Sequence, residues 1–454
     1  MSRIGWLSDA SMRWIEIILH ERLGQAFTLA LVEDGLLRLE LPGTSGYIQF
    51  DTAPETFSRN DSELPCASWS AIDEGWKSPF GADLPAPGVS TLQAPLIVKE
   101  EFGYRVHYDL LGCIYWILSR TEEVGRTDLD EHGRFFAFNS HAVRFDYLER
   151  PIVDEWLLVL RNVIEVQWPE LMLRQQQFVI KVSHDVDEPS RYAFRTLPRL
   201  IRAIGGDLIK RKDIVGVFRA LAVKALGRKR LSLLDPSNTF EWLMAQSERH
   251  GIVSAFYFIC GRTDSLKDAD YEIEHPAMRG LLRAIHHRGH EIGLHPSYNS
   301  YLSANVVEDE ANRLLKVCSE EGVVQGSWGG RMHFLRWSQP ATLRAWNRAG
   351  MTYDSTLGYA DRVGFRCGSC HEYPAFDPVA QEILHLRIRP LIVMDVTLTS
   401  SSYLGLGSGD AALIKVKQLK DACRVVNGQF TLLWHNSNLG SVDEKLLYQR
   451  SLEC

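Results

Sequence analysis

Cysteine is scarce in this chain of 454 residues, with eight in all and only one Cys-x-x-Cys pair, Cys367 and Cys370. Several of the others sit inside apolar runs (Cys113, Cys260, Cys318), where they read as reduced core residues rather than a disulfide framework. Without a second cysteine or histidine pair at zinc-site spacing, the Cys-x-x-Cys is expected to belong to a substrate loop and not to a structural metal or redox centre. No apolar run approaches the roughly 20 residues that cross a bilayer. The opening residues have neither a continuous apolar core nor a small-residue cleavage site. The expectation is a soluble, cytoplasmic protein. Positive charge is not in excess either: 50 Lys and Arg face 57 Asp and Glu, for a net charge of −7, which argues against nucleic acid as a partner. What is present, 45% hydrophobic and 24% charged residues, is the composition of an ordinary globular protein with material for a large core. The length suggests two or three domains.

The pattern changes near residue 170. Up to there it is mixed. Two strand-like runs, 27–32 and 37–41, flank a Glu-Asp-Gly turn and predict a hairpin. A proline-marked loop region follows, then a helix over 108–123 with Leu110, Leu111, Ile114, Tyr115 and Leu118 on one face. Another helix starts at Pro151, with the stripe Val153, Trp156, Leu157, Leu160, Val163 and Ile164. Nothing in this region has nucleophile or ligand spacing. Residues 1–173 are therefore expected to form a smaller mixed α/β accessory domain. From 238 onward strands and helices alternate, which implies parallel strands with helices outside. Between them lies an insertion, about 191–235. Its 191–230 stretch holds twelve Lys and Arg against only Asp207 and Asp213, with Ile214, Val217, Phe218 and Leu221 at helical spacing. It reads either as a solvated amphipathic face or as a surface for an anionic target, such as a membrane or a phosphate-bearing glycan carrier.

The chemistry-bearing residues stand where strands end. The run 178–182 is β-branched and apolar, and it leads into Asp185 and Asp187, with Pro189 close behind. In α/β folds ligands gather beyond the carboxyl ends of strands, and two acids there call for a metal or an arginine to offset their desolvation. A capping Asp and a solvated turn acid are the plainer alternative. A second strand, 291–294, ends at His295, a natural ligand for a divalent metal. A third candidate, 430–433, leads to Trp434 and His435. Between them are Arg331 in Gly329-Gly330-Arg331-Met332-His333, Asp354 in a Tyr-Asp-Ser-Thr run, Asp361, and Asp395 within the apolar run 391–398, which is expected to be a buried strand.

An acid pair after a strand, followed by Gly-His-Glu-Ile-Gly-Leu-His at 289–295, resembles polysaccharide deacetylases of the NodB type, carbohydrate esterase family 4. The likeness covers about 176–454. It implies a distorted (β/α) barrel, preceded by the N-terminal accessory domain. It also implies that Asp185 is the base and Asp187 a metal ligand, although the family often places these acids side by side and Val186 separates them here. The family's second motif carries two ligand histidines four residues apart; this chain has His295 and then Asn299. An amide oxygen is a weaker, harder ligand than imidazole, so either Asn299 coordinates or another group, with His333 the candidate, takes its place. Arg331 (with Arg336 as the alternative) would pair with Asp185 and keep it ionised. His435, in a motif like Leu-x-His, would protonate the departing amine, braced by Asp395. Asp354, Asp361, Asp395 and Trp434 are the expected substrate-side residues.

The resemblance thus implies a hydrolase that uses a divalent metal ion, zinc in the first instance, to remove an N-acetyl or other N-acyl group from a sugar or glycan. Two alternatives are a metal-independent amide hydrolase of the same superfamily, which Asn299 would suit, and a glycan-binding protein whose catalysis has lapsed.

Overall fold

The computed structural model describes residues 5–32, 34–210, 215–226 and 229–453. Of the sequence features above, the first four residues, Glu33 of the Glu-Asp-Gly turn, and Arg211, Lys212, Asp213, Ile214 and Arg228 lie outside the described residues.

The second half of the chain builds a nine-stranded sheet. Its order is Tyr373–Asp377, Glu382–Ile388, Tyr353–Asp354, Gly329–Gly330, Glu291–His295, Ser254–Ile259, Val179–Val186, Gln429–Leu433 and Val393–Met394. Every neighbouring pair is parallel except the first, which is an antiparallel hairpin. Helices Phe240–Arg249, Pro276–His287, Ala304–Glu320, Ala341–Arg348 and Asp410–Val425 lie between successive strands. Ser254–Ile259 is buried along its whole length, which explains a continuous apolar run in place of alternation. Closure of the expected distorted (β/α) barrel is not shown by the strand pairing. The ladder has two ends, and among the described residues no strand pairing joins Val393–Met394 to Tyr373–Asp377. Val393–Met394 pairs over two residues only before the chain turns helical at Asp395–Thr399, leaving little edge to extend the ladder. The same turn corrects the strand expected over 391–398.

Gly330 shows how tightly the centre of this sheet is drawn. A Cβ there would lie 1.7 Å from the Leu294 carbonyl oxygen, so only glycine lets the two strands approach.

The N-terminal region forms its own sheet, in the order Thr28–Leu31, Leu37–Glu40, Tyr47–Phe50, Gly103–Val106 and Ile97–Lys99. The first two strands are the expected antiparallel hairpin. Helix Ile152–Gln167 buries the whole predicted stripe. The helix expected over 108–123 is shorter, Leu110–Leu118, capped by Asp109 and followed by a 3-10 turn. All its residues are buried, so no one-sided stripe marks its ends.

One contiguous core runs through both regions. Helix Asp9–Leu23 covers the outermost strand of the large sheet: Trp14 donates through Nε1 to Pro374 O at 2.8 Å and stacks on Phe376 at 4.9 Å. Arg366 makes a buried bidentate pair with Glu123 across the same boundary. The loop holding Cys367 and Cys370 belongs to that contact. Both thiols are buried, and Gly368 O accepts from Val153 N at 2.8 Å, so the loop packs on a helix instead of facing a substrate.

Candidate active site

Asp185 is the seventh residue of Val179–Val186, and Asp187 follows that strand. His295 closes Glu291–His295, Arg331 follows Gly329–Gly330, and His435 stands just past Gln429–Leu433. Parallel strands deliver all five to one end of the sheet. There Asp185, Asp187, His295, His333 and His435 share a cavity of about 260 Å³.

Arg331 lies beneath it, fully buried, with every guanidinium nitrogen engaged. Nη1 donates to Asp185 Oδ1 at 2.7 Å, Nε to Ser355 O at 2.9 Å, and Nη2 to Ser183 Oγ at 2.9 Å and Ser355 Oγ at 3.1 Å. A planar fork held at three points fixes the carboxylate it touches. On the opposite side, Asp395 accepts from His435 Nδ1 at 2.7 Å and from His435 N at 2.9 Å, and Asn438 Nδ2 donates to the same carboxylate. This leaves His435 Nε2 facing the cavity, 3.7 Å from Asp187 Oδ2. Burial disfavours a charged His435, but Asp395, Asp187 and Asp185 outweigh it and push its pKa up to about 10.

Three further ligand atoms converge. His333 Nδ1 is 3.0 Å from His295 Nε2, and Asp187 Oδ1 lies 3.3 Å from the latter and 3.6 Å from the former. The outer nitrogens decide the tautomers. His295 Nδ1 contacts Arg331 O at 2.6 Å and His333 Nε2 contacts Lys267 O at 3.0 Å. Carbonyl oxygens only accept, so both protons point outward and two imidazole lone pairs face the carboxylate. Three lone-pair donors so close repel one another unless a cation or proton lies among them. Asp187 Oδ1 is buried with no hydrogen-bond partner of its own. Burial raises the Asp187 pKa, yet His333, His295 and His435 hold its carboxyl well below the usual range. The two imidazoles are driven apart: burial and His295 lower the pKa of His333, while Asp185 and Asp187 overcome burial to raise that of His295. One carboxylate and two outward-tethered imidazoles are the donor set of a divalent transition metal such as zinc, and the residues fit that ion.

Asn299 is not part of this group. It is exposed, its Oδ1 accepts from Arg336 Nη1 at 3.0 Å, and its Nδ2 donates to Thr263 O. The Arg336 guanidinium occupies one of the two lone pairs of the amide oxygen, and Asn299 does not line the cavity. Arg336, considered as a partner for Asp185, instead serves Asn299, Tyr298 O and His132 O. The substrate-side expectations also change. Trp434 is buried against Tyr448, with Nε1 given to Asn438 O. Asp354 is fully buried, its pKa pushed up to about 6 by burial, and accepts from Trp337 and Thr356. Asp361 accepts from Ala137 N at 3.3 Å. None of these three lines the cavity. Asp395 does not line it either and meets it through its hydrogen bonds from His435.

Arg134, Phe334, Leu335 and Tyr403 line the cavity without having been singled out in the sequence. Arg134 comes from the N-terminal region and donates through Nη1 to Phe334 O at 2.9 Å. Phe334 and Leu335 both have positive φ, 61° and 55°, an arrangement non-glycine residues adopt at a cost of about 1–3 kcal/mol each. Nothing in the sequence around them signals a left-handed pair.

Comparison with known proteins adds little to this geometry. A family of unknown function (DUF7033) matches residues 16–169. No curated protein matches the chain. Among solved structures, a protein assigned as a polysaccharide deacetylase from Mycobacterium smegmatis is similar at 16% identity and a TM-score of 0.39, covering 62% of this chain and 84% of its own. PuuE allantoinase is similar at 14% identity and 0.35, covering 61% and 83%. A protein from Pseudomonas aeruginosa PAO1, likewise assigned as a polysaccharide deacetylase, is similar at 15% and 0.36, covering 63% and 85%. At these values the functional reading rests on the site itself.

Proposed function

We propose that this chain is a metal-dependent hydrolase that removes an N-acetyl or other N-acyl group from a sugar in a glycan or glycan precursor. The observation that carries the reading is a single cavity holding three converging ligand atoms beside two proton-handling groups of opposite character, Asp185 and His435. Asp187, His295 and His333 would hold the ion, which supplies Lewis acidity for water attack on an acyl carbonyl. Asp185 accepts the proton of the attacking water, oriented by Arg331. His435, held protonated by Asp395, donates to the departing amine nitrogen as the C–N bond breaks. Water and amide thus become carboxylic acid and amine, the proton gained by Asp185 balancing the one given up by His435. Asp395 orients His435 and fixes which nitrogen faces the substrate.

Zinc-loaded protein incubated with a panel of N-acetylated amino sugars and glycans is expected to release acetate. Asp185→Asn should lower the rate by about 100–10,000-fold, the usual range for a positioned base. Undiminished release by Asp185→Asn rejects the assignment. Metal analysis should find about one ion per chain in the wild type and none retained by His333→Ala.

A further inference from the structure

The basic insertion carries an apolar surface that the fold does not use. Helix Leu197–Lys210 packs Leu200 and Ile204 against Ala220 and Val223 of helix Val215–Leu226, with Tyr192 in the same small cluster. Phe218 and Leu221, noted above for their helical spacing, are not part of that cluster. Phe218 and Leu221 turn outward instead, 73% and 58% exposed, one helical turn apart. On the first helix Leu197 and Ile201 do the same, at 68% and 62%. Each helix therefore has two apolar faces, one spent on its partner and one turned to solvent.

Charge says what would cover the outer face. Residues 191–230 carry twelve Lys and Arg against two Asp. Helices with apolar side chains on one side and abundant basic residues around them are the form that lies in a lipid interface, where bulky apolar groups enter the acyl boundary and cations meet anionic headgroups. No helix among the described residues is long and apolar enough to cross a membrane, so contact here would be with one leaflet.

The surface also has a defined place relative to the cavity. Arg195, Arg199, Arg202 and Lys267 line a groove of about 340 Å³ that reaches Asp187; Glu188, Asp268 and Asp270 line it too, Arg195 pairing with Glu188 and Arg199 with Asp270, and Leu266 is 85% exposed at its edge. Arg199 and Arg202 belong to the helix that presents Leu197 and Ile201.

We propose that the Leu197–Lys210 and Val215–Leu226 helices dock this protein on an anionic lipid bilayer, with Leu197, Ile201, Phe218 and Leu221 as the inserted side chains. Docking sets the groove that leads to Asp187 against the headgroup layer. The proposal does not depend on the hydrolase reading, because it is measured without turnover.

The test is co-sedimentation of the full chain with phosphatidylcholine vesicles, with and without phosphatidylserine. Binding is expected only to the anionic vesicles, and it should weaken as salt screens the charges. Phe218→Ser/Leu221→Ser and, separately, Leu197→Ser/Ile201→Ser should each reduce binding about tenfold or more, since partitioning scales with buried apolar area. Both pairs replace exposed side chains, so circular dichroism and the thermal unfolding midpoint should stay at wild-type values. Equal binding to neutral vesicles, binding that resists salt, or full binding by both double variants overturns the proposal. So does a wild-type dimer in analytical ultracentrifugation that the Phe218→Ser/Leu221→Ser change disperses, which would identify a second copy as the occupant.

Discussion

Replacing Arg331 with methionine tests the wiring beneath the cavity more directly than any change within it. The side chain is fully buried, and its guanidinium serves Asp185, Ser183 and Ser355 at 2.7 to 3.1 Å. Arg331→Met keeps most of the volume and removes the charge, so the Asp185 carboxylate stays buried without its partner. Breaking a buried pair from one side costs about 3–5 kcal/mol, and each stranded serine acceptor adds roughly 1 kcal/mol more. With three such acceptors, Ser183 Oγ, Ser355 O and Ser355 Oγ, the expected loss is about 6–8 kcal/mol, a large share of the 5–15 kcal/mol that holds a typical protein folded. The charge-free double variant Arg331→Met/Asp185→Asn no longer strands a carboxylate and should recover about 2–3 kcal/mol of that loss. Urea denaturation of the wild type, both single variants and the double variant completes the cycle. Additive effects, with coupling below about 0.5 kcal/mol, would refute the claim that these two residues stabilise each other.

Asn299→Ala should leave metal content unchanged while His333→Ala abolishes it; metal analysis of both after dialysis decides which residue is the third ligand. Asp395→Asn removes the leading charge that raises His435, so its pKa should fall from about 10 toward the ordinary value near 6.5. Because the donor form is protonated, activity is present below that pKa and lost above it, and the alkaline limb should move to lower pH. Ring-proton NMR of the chelated protein reads the same shift without turnover. Gly330→Ala drives a Cβ into the Leu294 carbonyl and should cost at least 1–3 kcal/mol. Gly326→Ala, with open space around it, should be close to neutral in the same denaturation assay. Trp14→Ala should lower stability by about 3–5 kcal/mol by emptying the contact between the helix and the sheet edge.

How far the sequence reaches differs from residue to residue. Strand ends were readable because an apolar run stopping at Asp185, His295 or His435 is a local pattern, and parallel topology then brings those ends together. The stripe of Ile152–Gln167 was readable for the same reason: its period repeats within one element. Helix Leu110–Leu118 misled at its ends, since a segment buried on all sides has no polar face to mark them. The helical spacing of Phe218 and Leu221 is legible in the sequence, but periodicity reports that apolar residues share a face, not which face a partner covers.

Local order along the chain, then, settled which side chains stand at the strand mouths and that helices and parallel strands alternate, because those features depend on residues a few positions apart. Three things were left to tertiary structure. His333 lines the cavity while Asn299 lies outside it, its amide oxygen held by Arg336; Arg134 joins the cavity from the N-terminal region; and Trp434, Asp354 and Asp361 do not line it. Each depends on contacts between segments remote in sequence, whose distances and burial no local pattern encodes.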